Sequence, residues 1–304
     1  MLDDVFAELQ GRPFASMAEA QRFIDARVRE YNTRPQPELG GLSPLQMSEL
    51  LAGDWETTGP LRINATLGLE EIGEPDFLHN AVAFLTMLRD EGPAKATAGG
   101  SLSREAVTRI LPRLHFEEGY LDDLRRVNKV LNEGDVGRLE ILRYVLGFAG
   151  LIHRRKGFRI SPAGRALLDN TRRGELLALL FRTFFRTLDL RAIGGWDDDT
   201  GLQQTIAFTF WKLRTETESW ASAEHLARGA WLENATDPPP PDFPLADDSF
   251  LYDLRFRMRV LEPLVWFGLL DSRELPRQKR WERPIQVRKT PLYDRLLRFD
   301  FSAR

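Results

Sequence analysis

Residues 135–168 constrain the fold most. DVGRLEILRYVLGFAG, residues 135–150, repeats apolar side chains at helical intervals and closes on Gly150. LIHRRKGFRIS follows, alternating in character on either side of Lys156-Gly157, a pair suited to a two-residue turn. Ser161-Pro162 has the form of an N-cap and a first helical residue, and it opens AGRALLDN. The segment predicts a helix, a β-hairpin and a capped helix in immediate succession.

Upstream, Ser16 and Glu19 have capping-box spacing, and Met17, Ala20, Ile24, Val28 and Tyr31 recur at helical intervals, predicting a helix over 16–32. Pro35 and Pro37 end it. Ser43-Pro44-Leu45-Gln46 starts a short helix running to about Ala52. Residues 54–73 read as loop with one extended piece, Leu61–Asn64. Pro75 opens a stronger helix with Phe77, Ala81, Phe84, Leu85 and Leu88 on one face, closed by Gly92. An extended piece at Ala94–Thr97 and helices over 103–113 and about 120–130 lead into the helix at 135–149.

Helix, short strand, helices and hairpin follow one another in the order of a winged helix–turn–helix. GLIHRRKGFRISPAGRALL resembles the wing and following helix of bacterial winged-helix proteins, and the resemblance covers roughly 75–170. It implies a superfamily that includes DNA-binding repressors and also modules that bind only protein. ELGGLSPLQMSELL, 38–51, resembles a segment of uncharacterised bacterial proteins that place GLSP-x-QM-x-x-LL ahead of a winged-helix-like region; that resemblance implies no activity.

The pattern recurs. Leu78, Val82, Ala83 and Phe84 match Leu202, Ile206, Ala207 and Phe208; Gly150 matches Gly268; SPAGRALL at 161–168 matches TPLYDRLL at 290–297. Offsets of 124, 118 and 129 in one order argue for a duplicated unit with a longer second wing. TRRGELLALLFRTFFRTLDL, 171–190, reads as a connecting helix buried against both copies, and Pro238–Pro241 as a stiff spacer. The expected fold is mainly α with small β-hairpins: an N-terminal helical segment (1–73), a first winged-helix-like unit (74–170), a connecting helix and loop (171–200) and a second unit (201–304).

With 42 basic and 45 acidic side chains and 42% hydrophobic residues, the chain is too apolar and too evenly charged for a disordered tail. It has no Cys, which excludes disulfides, zinc–thiolate sites, iron–sulfur clusters and thiol chemistry. No apolar run reaches the roughly 18 residues of a membrane helix, and the start lacks the features of a signal peptide. A cytoplasmic protein with no membrane partner is expected.

Nothing in the chain points to catalysis. His79, His115, His153 and His225 lack metal-ligand spacing, and GxGxxG, GxxxxGK[ST] and GxSxG are absent. Asp197-Asp198-Asp199 suits a hard cation but reads as a solvated turn after Gly-Gly-Trp. We expect no catalytic residue, no metal and no cofactor, and lean against an enzyme.

Charge is segregated. Residues 1–100 hold 16 acidic and eight basic side chains, a balance of −8; residues 251–304 hold 13 basic and seven acidic, a balance of +6. The two ends could attract each other or a partner subunit, or the basic end could face a polyanion. Only six of the 42 basic residues are Lys, an Arg bias that fits GC-rich coding and is not itself a sign of nucleic-acid recognition. Candidate nucleic-acid contacts are Arg154, Arg155, Lys156 and Arg159 in the first wing, Arg277, Lys279, Arg280 and Arg283 in the second, and Arg255 and Arg259 in the helix before it. Solvated hairpin edges favour the same residue types.

The helix at 135–149 is a poor base reader. Leu139, Leu142, Leu146 and Ala149 form one apolar stripe and Ile141, Tyr144 and Phe148 a second, which predicts burial on both sides. In the matching helix, Pro263 should kink the backbone or interrupt its hydrogen bonding. Two functions stay open: nucleic-acid binding through basic wings, with DNA as partner and a regulatory role as one option, or a protein–protein interaction or scaffold module whose partner is another protein or a second copy.

Overall fold

The computed structural model describes residues 13–194, 201–230, 248–276 and 284–301. The architecture is mainly α with small antiparallel sheets of two or three strands. Pro238–Pro241 and Asp197–Asp199 lie outside the described residues.

Helix α1 (Met17–Thr33) is capped by Ser16, whose hydroxyl accepts from Glu19 N. Helix α2 (Pro44–Ala52) has a complete capping box: Gln46 N donates to Ser43 and Ser43 N donates to Gln46. Strand β1 (Leu61–Ile63) and the short helix α3 (Leu69–Ile72) follow. The first unit comprises α4 (Asp76–Asp90), α5 (Arg104–Ile110), α6 (Tyr120–Val127), α7 (Gly137–Phe148), the hairpin strands β2 (Ile152–Arg154) and β3 (Phe158–Ile160), and α8 (Pro162–Ala166). Helix α9 (Arg173–Arg182) runs into a π turn over Thr183–Thr187.

The second unit follows a related order among the described residues, with a helix, a short strand, further helices, a hairpin and a final helix. It comprises α10 (Gly201–Glu216), β4 (Ala221–Ser222), α11 (Ala223–Ala230), α12 (Asp248–Phe256), a π turn (Arg257–Leu261), α13 (Glu262–Trp266), β5 (Leu270–Glu274), β6 (Ile285–Lys289) and α14 (Pro291–Leu296). Strand β7 (Leu297–Phe299) ends the chain's regular structure. The π turn falls where Pro263 cannot donate to the carbonyl four residues back, so the helix widens there instead of breaking.

The two units agree in atomic detail. Between the first two helices of each, a short extended stretch pairs with the second hairpin strand: Ala94 forms a single bridge with Phe158, and β4 pairs with β6 at Ala221 and Val287. In each, the helix before the hairpin ends on a left-handed glycine, Gly150 at φ 70° and Gly268 at φ 71°. Ser161 Oγ then donates to Gly150 O and Thr290 Oγ1 to Gly268 O, both at 2.7 Å. Both hydroxyls also cap the helix that follows.

One core serves the whole molecule. At its centre, Phe181, Phe184 and Phe185 from the connecting segment meet Phe77 of the first unit and Phe210 and Phe267 of the second, largely in tilted or edge-to-face pairs. The connecting helix is buried against both units, as its apolar sequence requires. Each such Phe contributes about 1.5–3 kcal/mol by leaving water.

The acidic N-terminal segment joins the C-terminal end through backbone pairing and rings. Strand β1 pairs antiparallel with β7, Leu61 opposite Phe299. Trp211 of α10 donates to Gly40 O and packs edge-on against Phe299 and Phe301. Tyr293 is fully enclosed and donates to Phe210 O at 2.6 Å; burial pushes its hydroxyl pKa well up.

Candidate nucleic-acid interface

The first hairpin carries four exposed basic side chains, Arg154, Arg155, Lys156 and Arg159. Ile152 opposes Ile160 on the buried side, His153 opposes Arg159 on the solvent side, and Arg154 opposes Phe158. This register corrects the expected two-residue turn to the three residues Arg155, Lys156 and Gly157, with Lys156 at its centre in left-handed backbone, φ 53°. Gly157, at φ 114°, lies against Ala94 O, where any Cβ would collide. The pairing of Ala94 with Phe158 therefore fixes the turn and demands glycine there.

Arg154, Arg155, Lys156 and Arg159 are all exposed. Among the described residues none of the four has an acidic partner; Arg159 Nε donates weakly to Arg155 O at 3.4 Å. The Arg154 guanidinium lies over Gly100, in space that a side chain there would fill. Lys95, at the base of the hairpin, is by contrast paired with Glu105 at 2.7 Å.

Beneath the hairpin, Glu133 and Arg143 form a buried ion pair, Nε to Oε1 2.5 Å. Glu133 Oε2 also accepts from Leu102 N at 2.8 Å. Burial alone would lower the Arg143 pKa, but the hydrogen bond and charge of Glu133 outweigh it, so the guanidinium is held charged. Its plane lies 4.2 Å from the Tyr144 ring centre and 5.3 Å from that of Phe158, joining α7 to the hairpin.

The expectation that both stripes of α7 are buried needs correcting. Leu139, Leu142, Val145 and Leu146 are enclosed against α4 and the Thr183–Thr187 turn. On the other side Tyr144 is 42% exposed and Phe148 54% exposed, their rings stacked at 6.2 Å and 18°. Arg138 is clamped between the rings of Tyr120 and Trp266 and paired with Glu117 at 2.9 Å.

In the second unit the described basic residues of the hairpin are engaged by neighbours. Arg255 and Arg259 are buried, which corrects their assignment as surface contacts. Arg259 points inward and donates to Ile193 O and Arg191 O, closing the end of the connecting segment. Along the second hairpin, Arg288 meets Asp271 at 3.2 Å, Lys289 meets Asp294 at 2.8 Å, and Arg273 donates twice to Gln286. Arg273 and Arg288 both rest on the Trp220 ring. Arg277, Lys279, Arg280 and Arg283 lie outside the described residues.

The histidines have structural settings. His79 and His115 stack at 3.5 Å, and Asn80 both donates to and accepts from the His115 backbone. Among the described residues there is no cluster of three side chains able to ligate a metal, and no helix long and apolar enough to cross a membrane.

A family model described as the Y4jL N-terminal domain matches residues 75–173, the span of the first unit. The chain is similar to that family over about a third of its length. No curated protein matches the chain. No solved structure matches it either.

Proposed function

We propose that this protein binds nucleic acid by its phosphate backbone, in the cytoplasm, through the hairpin of a first unit that resembles a winged helix. One observation carries the reading: Arg154, Arg155, Lys156 and Arg159 stand exposed on the hairpin of residues 152–160 with no acidic partner among the described residues. Guanidinium and ammonium groups not engaged by carboxylates suit phosphate oxygens.

A second reading is a protein-interaction module. Val127 and Val130, 83% and 47% exposed at the end of α6 and just beyond it, favour an apolar partner there.

Fluorescence anisotropy with labelled mixed-sequence DNA, duplex and single-stranded, at low salt tests the proposal. Saturable binding that weakens with added salt is expected. No binding to either form refutes it and favours the second reading.

A further inference from the structure

We infer that the nucleic acid taken by the first unit is single-stranded, with its bases stacked on Tyr144 and Phe148 beside the cationic hairpin. The inference rests on the proposed function and adds what the bases meet.

The exposed side of α7 presents Glu140, Ile141, Tyr144, Gly147 and Phe148. Readout of a duplex through the major groove relies chiefly on Arg, Lys, Asn or Gln aimed at base edges. None stands on this face. Arg143 is sequestered by Glu133 and Arg138 by Glu117 and two rings.

What the face offers is two nearly parallel aromatic rings one helical turn apart, at 18° and 6.2 Å. Every base has a π face, but duplex bases are already stacked on one another. Only an unpaired strand can lay its bases on such rings while its phosphates reach nearby cations. The rings stand on the helix that leads directly into the hairpin, Phe148 ending that helix just before the strand that begins at Ile152, and beneath them the buried Arg143 guanidinium packs against both Tyr144 and Phe158. Charge selects the occupant: an apolar helix face beside Arg154, Arg155, Lys156 and Arg159 complements a chain that is both anionic and rich in flat apolar faces.

The test uses the full chain with a labelled oligonucleotide of about 12 nucleotides, within the site sizes of single-strand binders, and with the matching duplex. The variants are Phe148→Leu, which keeps bulk but removes a π face at an exposed position, the double variant Tyr144→Leu/Phe148→Leu, and Tyr144→Phe. The single strand is expected to bind on the order of tenfold or more tighter than the duplex. Phe148→Leu should weaken single-strand binding on the order of tenfold and the double variant further. Tyr144→Phe should change little, and the salt slope should be the same for all. If duplex and single strand bind equally and the leucine variants match wild type, the inference fails while the phosphate grip stands. If neither form binds at low salt, the surface belongs to a protein partner and both fail.

Discussion

Replacing Glu133 by Ala strikes the support beneath the proposed interface. Its carboxylate is enclosed, pairs with Arg143 at 2.5 Å and accepts from Leu102 N at 2.8 Å. Glu133→Ala leaves a buried guanidinium without its counter-charge and a backbone N–H without an acceptor. Breaking a buried pair from one side costs about 3–5 kcal/mol, and an orphaned buried donor about 1–3 kcal/mol. Both effects arise from the same carboxylate, so we expect a total of about 3–5 kcal/mol, not the sum. Removing both charges in Glu133→Ala/Arg143→Met should recover most of that loss, because no uncompensated charge remains. Urea unfolding followed by far-ultraviolet circular dichroism, extrapolated linearly to water, measures both variants. A single variant within about 1 kcal/mol of wild type, or a double variant no more stable than the single, would refute the argument.

Three further outcomes follow from the geometry. Ser161→Ala and Thr290→Ala remove equivalent caps and should cost similar amounts, about 0.5–2 kcal/mol each in the same unfolding assay; a large cost at one site and none at the other would show that the units are not equivalent. Gly157→Ala forces a Cβ against Ala94 O at φ 114°; it should destabilise the protein by about 1–3 kcal/mol and weaken DNA binding by anisotropy, and full retention of both would contradict the turn geometry. Asp54 accepts from the Thr57 hydroxyl and from the N–H groups of Thr58, Glu56 and Thr57, which hold its pKa below the ordinary carboxylate range. Its contribution is therefore present above the unfolded value of about 3.9 and lost as pH falls below it; the stability gap between wild type and Asp54→Asn should shrink on acidification, and a gap that is constant or grows would count against that role.

Local signals were the legible part of the fold. Ser16 with Glu19, Ser43 with Gln46, and Ser161-Pro162 act within one helical turn, so the chain announces those helix starts without reference to distant partners. The pairing of Gly150 with Gly268 and Ser161 with Thr290 was readable because the same turn must be closed twice. Non-local effects were not legible. The length of the first turn depends on Ala94, which meets Phe158 across the intervening helices. Arg255 and Arg259 look like exposed helix charges, yet Arg259 is drawn inward by carbonyls 66 and 68 residues away. The second stripe of α7 was expected to be buried because an apolar face normally finds a cover, and Tyr144 and Phe148 have none deep enough to enclose them. Tyr144 and Phe148, apolar in the sequence like core residues, therefore stand at the surface as an aromatic pair.

The most direct test of the phosphate grip is the salt dependence of duplex binding, compared between wild type and a variant with Arg154, Arg155, Lys156 and Arg159 all changed to Ala. These residues are exposed and unpaired with acids, so their removal should leave unfolding unchanged. Each phosphate contact contributes a slope of about −0.9 to log K against log salt. Losing four should flatten the slope by up to about 3.6 and weaken binding at low salt. A variant that binds with wild-type slope and affinity would contradict the account.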